Sequence, residues 1–150
     1  MMNLEDRFIR GFIAGISAGI VMDILEYLSF ILKITELSYW EWASVLIFGY
    51  RATALTEVFL ALMLQIFFSG VVGILFAYFV PLVTSRYYLM KGAIFSIFIW
   101  FFANAVIYMF KVTPLAPVKA DTVFSNIVTV AIYGLVLAQM LRWMDNKLKV

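Results

Sequence analysis

The stretch FIRGFIAGISAGIVMDILEYLSFIL, residues 8–32, decides the fold of this chain. A helix needs about 20 apolar residues to cross the hydrocarbon core of a bilayer, and this stretch is longer. Glycines recur in it at every fourth position and two carboxylates follow them: Gly11, Gly15, Gly19, Asp23 and Glu26. Charged groups in a membrane helix are costly and face protein or water rather than lipid. The stretch therefore predicts a membrane helix with one polar side.

The composition of the whole chain points the same way. Of 150 residues, 65% are apolar and only 13% are charged, and the mean hydropathy is +1.03. Soluble domains contain about 45–50% apolar and about 25% charged residues, so this chain has more apolar surface than a soluble domain of its size can bury. We expect an integral membrane protein that forms a single membrane domain over residues 1–150.

Four segments are apolar over the length that a membrane span needs: residues 8–32, 55–83, 89–110 and 122–141. The apolar runs within residues 33–54 are too short to cross and the segment is too polar, and it contains Tyr39, Trp40 and Trp42. Trp and Tyr favour the headgroup level of a bilayer. We therefore predict an all-α bundle of four transmembrane helices, with an interfacial amphipathic or re-entrant segment between the first two.

The distribution of basic residues predicts the orientation. With four spans both termini lie on one side, which then holds seven Lys or Arg residues, whereas the other side holds four: Lys33, Arg51, Lys111 and Lys119. Basic residues collect on the cytoplasmic side of membrane proteins. We expect a multi-pass protein of the bacterial plasma membrane with both termini cytoplasmic and residues 33–54 on the outer side.

Polar residues inside the predicted spans define a candidate site. Asp23 and Glu26 share the glycine side of the first span at about 100° per residue. In the second span small or polar residues recur every four positions from Glu57 onward. The candidate polar pocket or ion site comprises Asp23, Glu26, Glu57, Gln65, Asn104 and Asn126. In the alternative interpretation, the acids reach the outer interface or pair locally with Arg51 or Lys33.

Small residues also predict a helix-packing face, because they let two helix backbones approach closely. Its members are Gly11, Gly15 and Gly19 in the first span and Ser69 and Gly73 in the second. This face either packs inside the bundle or contacts a second copy or a larger membrane complex. The sequence alone leaves both alternatives open.

The residue types that are missing exclude several functions. Cys and His are absent, so thiol nucleophiles and imidazole ligands are excluded. One carboxylate pair falls short of the six to eight oxygens that Ca²⁺ takes, and the basic residues form no run that would bind nucleic acid. We expect no enzyme activity, catalytic residue, metal or cofactor, and the lipid bilayer as the main partner.

Two main functions remain as predictions, with a lipid-modifying or lipid-moving role, in which lipid binds in a pocket near Arg51 and Lys111, as a third possibility. The first is a non-enzymatic packing or assembly partner, as a homo-oligomer or in a larger membrane complex, with a polar pocket facing outward. The alternative is a small transporter or channel subunit for a cation, a proton or a small solute, in which Asp23 and Glu26 are the site.

Three short stretches carry a family resemblance. They are ITELS at 34–38, the proline-spaced PLAPVK at 114–119, and NIVT at 126–129 followed by Tyr133 and Gly134. In these stretches the chain resembles the YqhR family, small membrane proteins of Gram-positive spore formers. The resemblance implies a four-span membrane protein without an assigned activity, and it supplies no catalytic residue.

Overall fold

The computed structural model of this chain describes residues 6–83, 86–115 and 118–147. These residues form helices connected by short turns and contain no strand. The five α-helices are α1 (Arg7–Ile31), α2 (Tyr39–Phe48), α3 (Leu55–Phe79), α4 (Tyr88–Met109) and α5 (Ala120–Lys147). Two short 3-10 helices, Val80–Leu82 and Thr113–Leu115, follow α3 and α4.

Four of these helices are long and apolar enough to cross a membrane: α1, α3 with its 3-10 extension, α4 and α5. The prediction of an all-helical chain with four candidate spans is therefore confirmed, and insertion into a bilayer stays a prediction. The predicted end of the last span at residue 141 falls short of the helix end at Lys147. The apolar stretch ends there, but the backbone continues because Met144 is still buried and Asp145 pairs with Arg10 of α1.

The segment 33–54 contains the separate short helix α2 (Tyr39–Phe48), with turns on either side. With 10 residues at about 1.5 Å each, it is too short to cross a bilayer. The helix begins after Ser38, whose N–H and hydroxyl donate to the Glu41 carboxylate at 2.9 and 3.0 Å. It ends at Phe48, and Gly49 follows as the C-terminal cap with a φ of +80°, a left-handed conformation that glycine adopts without strain. α2 packs on α3 and on the Thr113–Leu115 turn, so it covers one end of the bundle.

The order of the helices in the bundle differs from their order in the chain. α1 is central, with α3 on one side and α5 on the other, and α4 packs on α5. Near their connection, aromatic side chains of α3 and α4 are in contact. The ring centroids of Phe76 and Phe79 lie 5.3 and 5.2 Å from that of Phe95. In the part of the chain that the structure describes, α3 and α4 have no extended helix–helix contact.

The predicted packing face lies between α1 and α3 of the same chain. A Cβ atom on Gly73 would overlap the Gly11 carbonyl oxygen and lie 2.6 Å from the Gly15 Cα, and one on Gly19 would lie 2.6 Å from the Ser69 Cβ. Because α3 covers this face, a contact with a second copy would need another surface. A similar contact that the sequence analysis did not assign joins Gly92 of α4 to Gly134 of α5.

Candidate functional site

A cavity of about 100 Å³ lies where α3 and α4 are not packed against each other. α5 contributes the wall between them, and α2 covers the end. Aromatic rings supply much of the apolar surface: Tyr39, Trp42, Phe68, Trp100 and Tyr133. An apolar cavity with a few converging polar groups is the usual form of a small-molecule site.

Three of the six predicted site residues line this cavity, one from each surrounding helix: Gln65, Asn104 and Asn126. The Asn104 side-chain N–H donates to the Trp100 carbonyl at 2.9 Å. The side-chain oxygen of Asn126 is buried and accepts no hydrogen bond. The cavity therefore presents a hydrogen-bond acceptor that a guest could satisfy, and the described residues that line it are all uncharged.

Hydrogen bonds between helices fix the shape of the walls. The Tyr133 hydroxyl of α5 donates to the Ser69 carbonyl of α3 at 2.7 Å, and the Ser96 hydroxyl of α4 donates to the Val130 carbonyl at 2.8 Å. Both bonds are buried, where a hydrogen bond is electrostatically stronger than in water. They hold α5 against both neighbours and keep the cavity preformed.

Glu26 lies outside the cavity lining, at the junction of α1 and α2. Its side chain is 1% exposed, and one carboxylate oxygen accepts the backbone N–H of Tyr39 at 3.1 Å. Tyr39 is the first residue of α2, and a helix N-terminus stabilises a negative group. Glu26 therefore attaches α2 to the bundle. Its second oxygen has no hydrogen-bond partner.

Asp23 also lies outside the cavity lining. Both carboxylate oxygens are buried and lack a hydrogen-bond partner, although the Gln65 side chain lies beside them. The cations named as partners in the sequence analysis do not reach it: Lys33 is exposed, and Arg51 donates to the Pro114 carbonyl at 3.0 Å. Over residues 6–83, 86–115 and 118–147 the recorded salt bridges are Arg10–Asp145 and Lys119–Glu36, neither of which includes Asp23 or Glu26.

The structure does not place Glu57 in the cavity. Its carboxylate accepts the Tyr50 hydroxyl at 2.8 Å and the backbone N–H groups of Thr53 and Ala54 at 3.4 and 3.5 Å. Glu57 thus caps the N-terminus of α3, where the unpaired N–H groups of a helix attract a carboxylate. The structure thus places Glu57 apart from Gln65, Asn104 and Asn126, which line the cavity.

Tyr39 is a cavity residue that the sequence analysis placed at the headgroup level. Its hydroxyl lies 3.4 Å from the Thr129 hydroxyl of α5, and burial raises its pKa above the ordinary value, so it stays neutral. Trp42 lines the cavity with it, whereas the Trp40 ring contacts Tyr27 and Phe30 instead. The spacing of Tyr39 and Trp42 by three residues places both on one helix face, and this signal could have separated them from Trp40.

These features define a small all-helical protein with four candidate membrane spans and a mainly apolar cavity that contains a few uncharged polar groups. No protein-family model, curated protein or solved structure matches the chain. The resemblance to the YqhR family stays a prediction.

Proposed function

We propose that this chain is a non-enzymatic membrane protein whose cavity between α3 and α4 binds an amphipathic guest from the bilayer. The observation that carries the proposal is the position of the cavity. It lies between α3 and α4, which have no extended contact in the described part of the chain, and we infer a lateral route from the lipid between them.

The chemistry of the walls supports a guest with an apolar body and a hydrogen-bond donor. The Asn126 oxygen is buried and unpartnered, and such a group costs about 1–3 kcal/mol when left unsatisfied. A hydroxyl or an amide N–H would satisfy it. The cavity volume of about 100 Å³ equals roughly three water molecules. Only one segment of the guest fits inside, and the remainder extends between α3 and α4.

The proposed setting is a bacterial plasma membrane with both termini cytoplasmic and α2 on the outer side. The excess of basic residues on the terminal side, seven against four, supports this orientation. The bilayer is then the source of the guest. Assembly with a second copy or a larger complex stays part of the proposal, and it would use a surface other than the glycine face, which α3 covers.

Filling the cavity should remove the guest. We expect Ala103→Phe, which adds a ring to a cavity-lining position, to reduce the occupancy of co-purifying lipid at least tenfold. Native mass spectrometry of protein released in a mild detergent measures this occupancy. Ala105→Phe is the matched control because it is on the same helix but does not line the cavity. Equal occupancy in both variants would place the guest elsewhere.

A second candidate function is transport of a cation or proton, and the buried carboxylates favour it. Three carboxylate oxygens of Asp23 and Glu26 are buried without a hydrogen-bond partner. Acidic residues in this state inside a membrane protein often mark ion or proton pathways. In this proposal Asp23 is the ion site, and Gln65 connects it to the cavity because it lies beside Asp23 and also lines the cavity wall.

Asp23→Asn tests the transport proposal. The assay uses liposomes with an internal pH-sensitive dye and an imposed Na⁺ or K⁺ gradient. We expect the ion or proton flux through the variant to be at least tenfold lower than the flux through the unmodified chain. Glu57→Gln removes a carboxylate in the first turn of α3 and should keep the flux of the unmodified chain. A flux that is unchanged in Asp23→Asn, or absent from the unmodified chain, would exclude Asp23 from any transport role.

A further inference from the structure

A second cleft lies beside the cavity at the α2 end. It has a volume of about 250 Å³, and polar or charged side chains form part of its lining: Glu36, Arg51, Thr113, Lys119 and Thr122. Four residues belong to the walls of both spaces: Leu37, Leu115, Val118 and Thr122. The apolar cavity and the polar cleft are therefore neighbours across one layer of side chains.

The cleft combines two cations from different parts of the chain. Arg51 follows α2 and Lys119 precedes α5, and Glu36 is the one acidic residue among the described residues of the lining. Lys119 and Glu36 form an ion pair in which both side chains are well exposed. An exposed pair of this kind contributes only about 0–1 kcal/mol, so Lys119 can exchange Glu36 for another anion.

Arg51 is suited to an anionic group for a separate reason. One of its terminal nitrogens donates to the Pro114 carbonyl at 3.0 Å, Arg51 and Pro114 both line the cleft, and Arg51 as a residue is exposed. A guanidinium presents five donors in a planar fork that matches phosphate or carboxylate oxygens. Over the residues that the structure describes, the cleft lining is net positive, with two cations against one anion.

We propose that the guest is an amphiphile with an anionic phosphate headgroup, which lies between Arg51 and Lys119 while its apolar segment occupies the cavity. This inference rests on the proposed function, since it assigns the polar end of the guest that the cavity binds. The arrangement matches a lipid in the outer leaflet. Its headgroup lies at the membrane surface with the charged cleft, and its chain lies between the spans with the cavity.

Two tryptophans in the cavity lining make the test direct. In a background of Trp40→Phe and Trp143→Phe, the remaining tryptophans are Trp42 and Trp100, which both line the cavity. Quenching of their fluorescence by phosphatidylglycerol with brominated chains reports binding in a nonionic detergent. Diacylglycerol with the same brominated chains is the uncharged comparison. We expect phosphatidylglycerol to bind at least tenfold more tightly.

Removing the charges should erase this preference. We expect the double variant Arg51→Gln with Lys119→Gln to weaken phosphatidylglycerol binding about tenfold and to leave diacylglycerol binding unchanged. Lys33→Gln with Lys111→Gln is the matched control, because it removes two exposed cations outside the cleft lining and should leave both affinities unchanged. Ala103→Phe should weaken the binding of both lipids.

The outcomes separate the two proposals. Suppose that the two lipids bind with equal affinity, and that Ala103→Phe lowers this affinity while the double variant does not. This result would overturn the phosphate headgroup and leave the cavity proposal standing. Quenching that neither change affects would overturn both. Binding of inorganic phosphate to the cleft without quenching by either lipid would assign the cleft to a soluble anion and overturn the amphiphile.

Discussion

Replacing Gly73 with leucine is expected to prevent α1 and α3 from packing and to abolish most of the folded protein. A Cβ at this position would overlap the Gly11 carbonyl oxygen and lie 2.6 and 2.8 Å from the Gly15 Cα and N. These are backbone atoms, so no side-chain rotation relieves the overlap. Added core volume costs about 1–3 kcal/mol and occasionally more. For a leucine against backbone we expect about 3 kcal/mol or more.

Thermal unfolding and the yield of monodisperse protein in detergent measure this effect. Gly73→Ala should lie between the leucine variant and the unmodified chain. Met63→Leu on the exposed side of α3 should behave as the unmodified chain does. If Gly73→Leu kept the unfolding temperature and only dispersed an oligomer, the face would belong to a contact between two copies instead of the bundle interior.

The span positions could be predicted because bilayer thickness imposes a length on apolar segments. The side of α1 that packs closely was also predictable, since glycines spaced by four residues share one helix face. The identity of the facing helix was not. A helix from the same chain and a helix from another copy satisfy the same close contact, and only the arrangement of the whole chain places Gly73 of α3 opposite Gly15.

The candidate site was predicted in part for a related reason. Depth and helix face identify Gln65, Asn104 and Asn126 as inward polar residues, and the structure brings them to one cavity. Glu26 and Glu57 lie outside the cavity because residues of the connecting segment between α1 and α3 donate hydrogen bonds to them. Tyr39 at the start of α2 donates to Glu26, and Tyr50 donates to Glu57. Such contacts depend on the path of the connection, which hydrophobic periodicity does not encode.

Glu26→Ala is expected to detach the start of α2 from the bundle and to expose the cavity beneath it. The change removes the acceptor of the Tyr39 N–H, and the loss of an N-terminal helix cap costs about 0.5–2 kcal/mol. Because Tyr39 and Trp42 cover the cavity, loss of this attachment should increase access to it. Glu26→Gln should stay close to the unmodified chain, since its amide oxygen can accept the same N–H.

Thiol labelling measures the detachment, because the chain contains no cysteine and one introduced thiol is unique. Ala43 of α2 is 6% exposed, so Ala43→Cys should label slowly. Since about 1.4 kcal/mol is a factor of ten, we expect Glu26→Ala to accelerate labelling several-fold to tenfold and Glu26→Gln to change it less than twofold. Labelling of the exposed Thr56→Cys should be the same in all backgrounds.

The comparison of these two variants separates the hydrogen bond from the charge of Glu26. Acceleration in Glu26→Ala alone means that the Tyr39 N–H needs an acceptor and that the negative charge is dispensable. Acceleration in both would mean that the charge at the start of α2 holds the helix, as an anion at a helix N-terminus can. An unchanged rate in Glu26→Ala would show that the packing of α2 on α3 suffices. With an impermeant reagent added outside intact cells, labelling of the exposed Thr56→Cys at the start of α3 but not of the exposed Asn146→Cys checks the outward placement of the α2 end, and labelling of Asn146→Cys alone would reverse it.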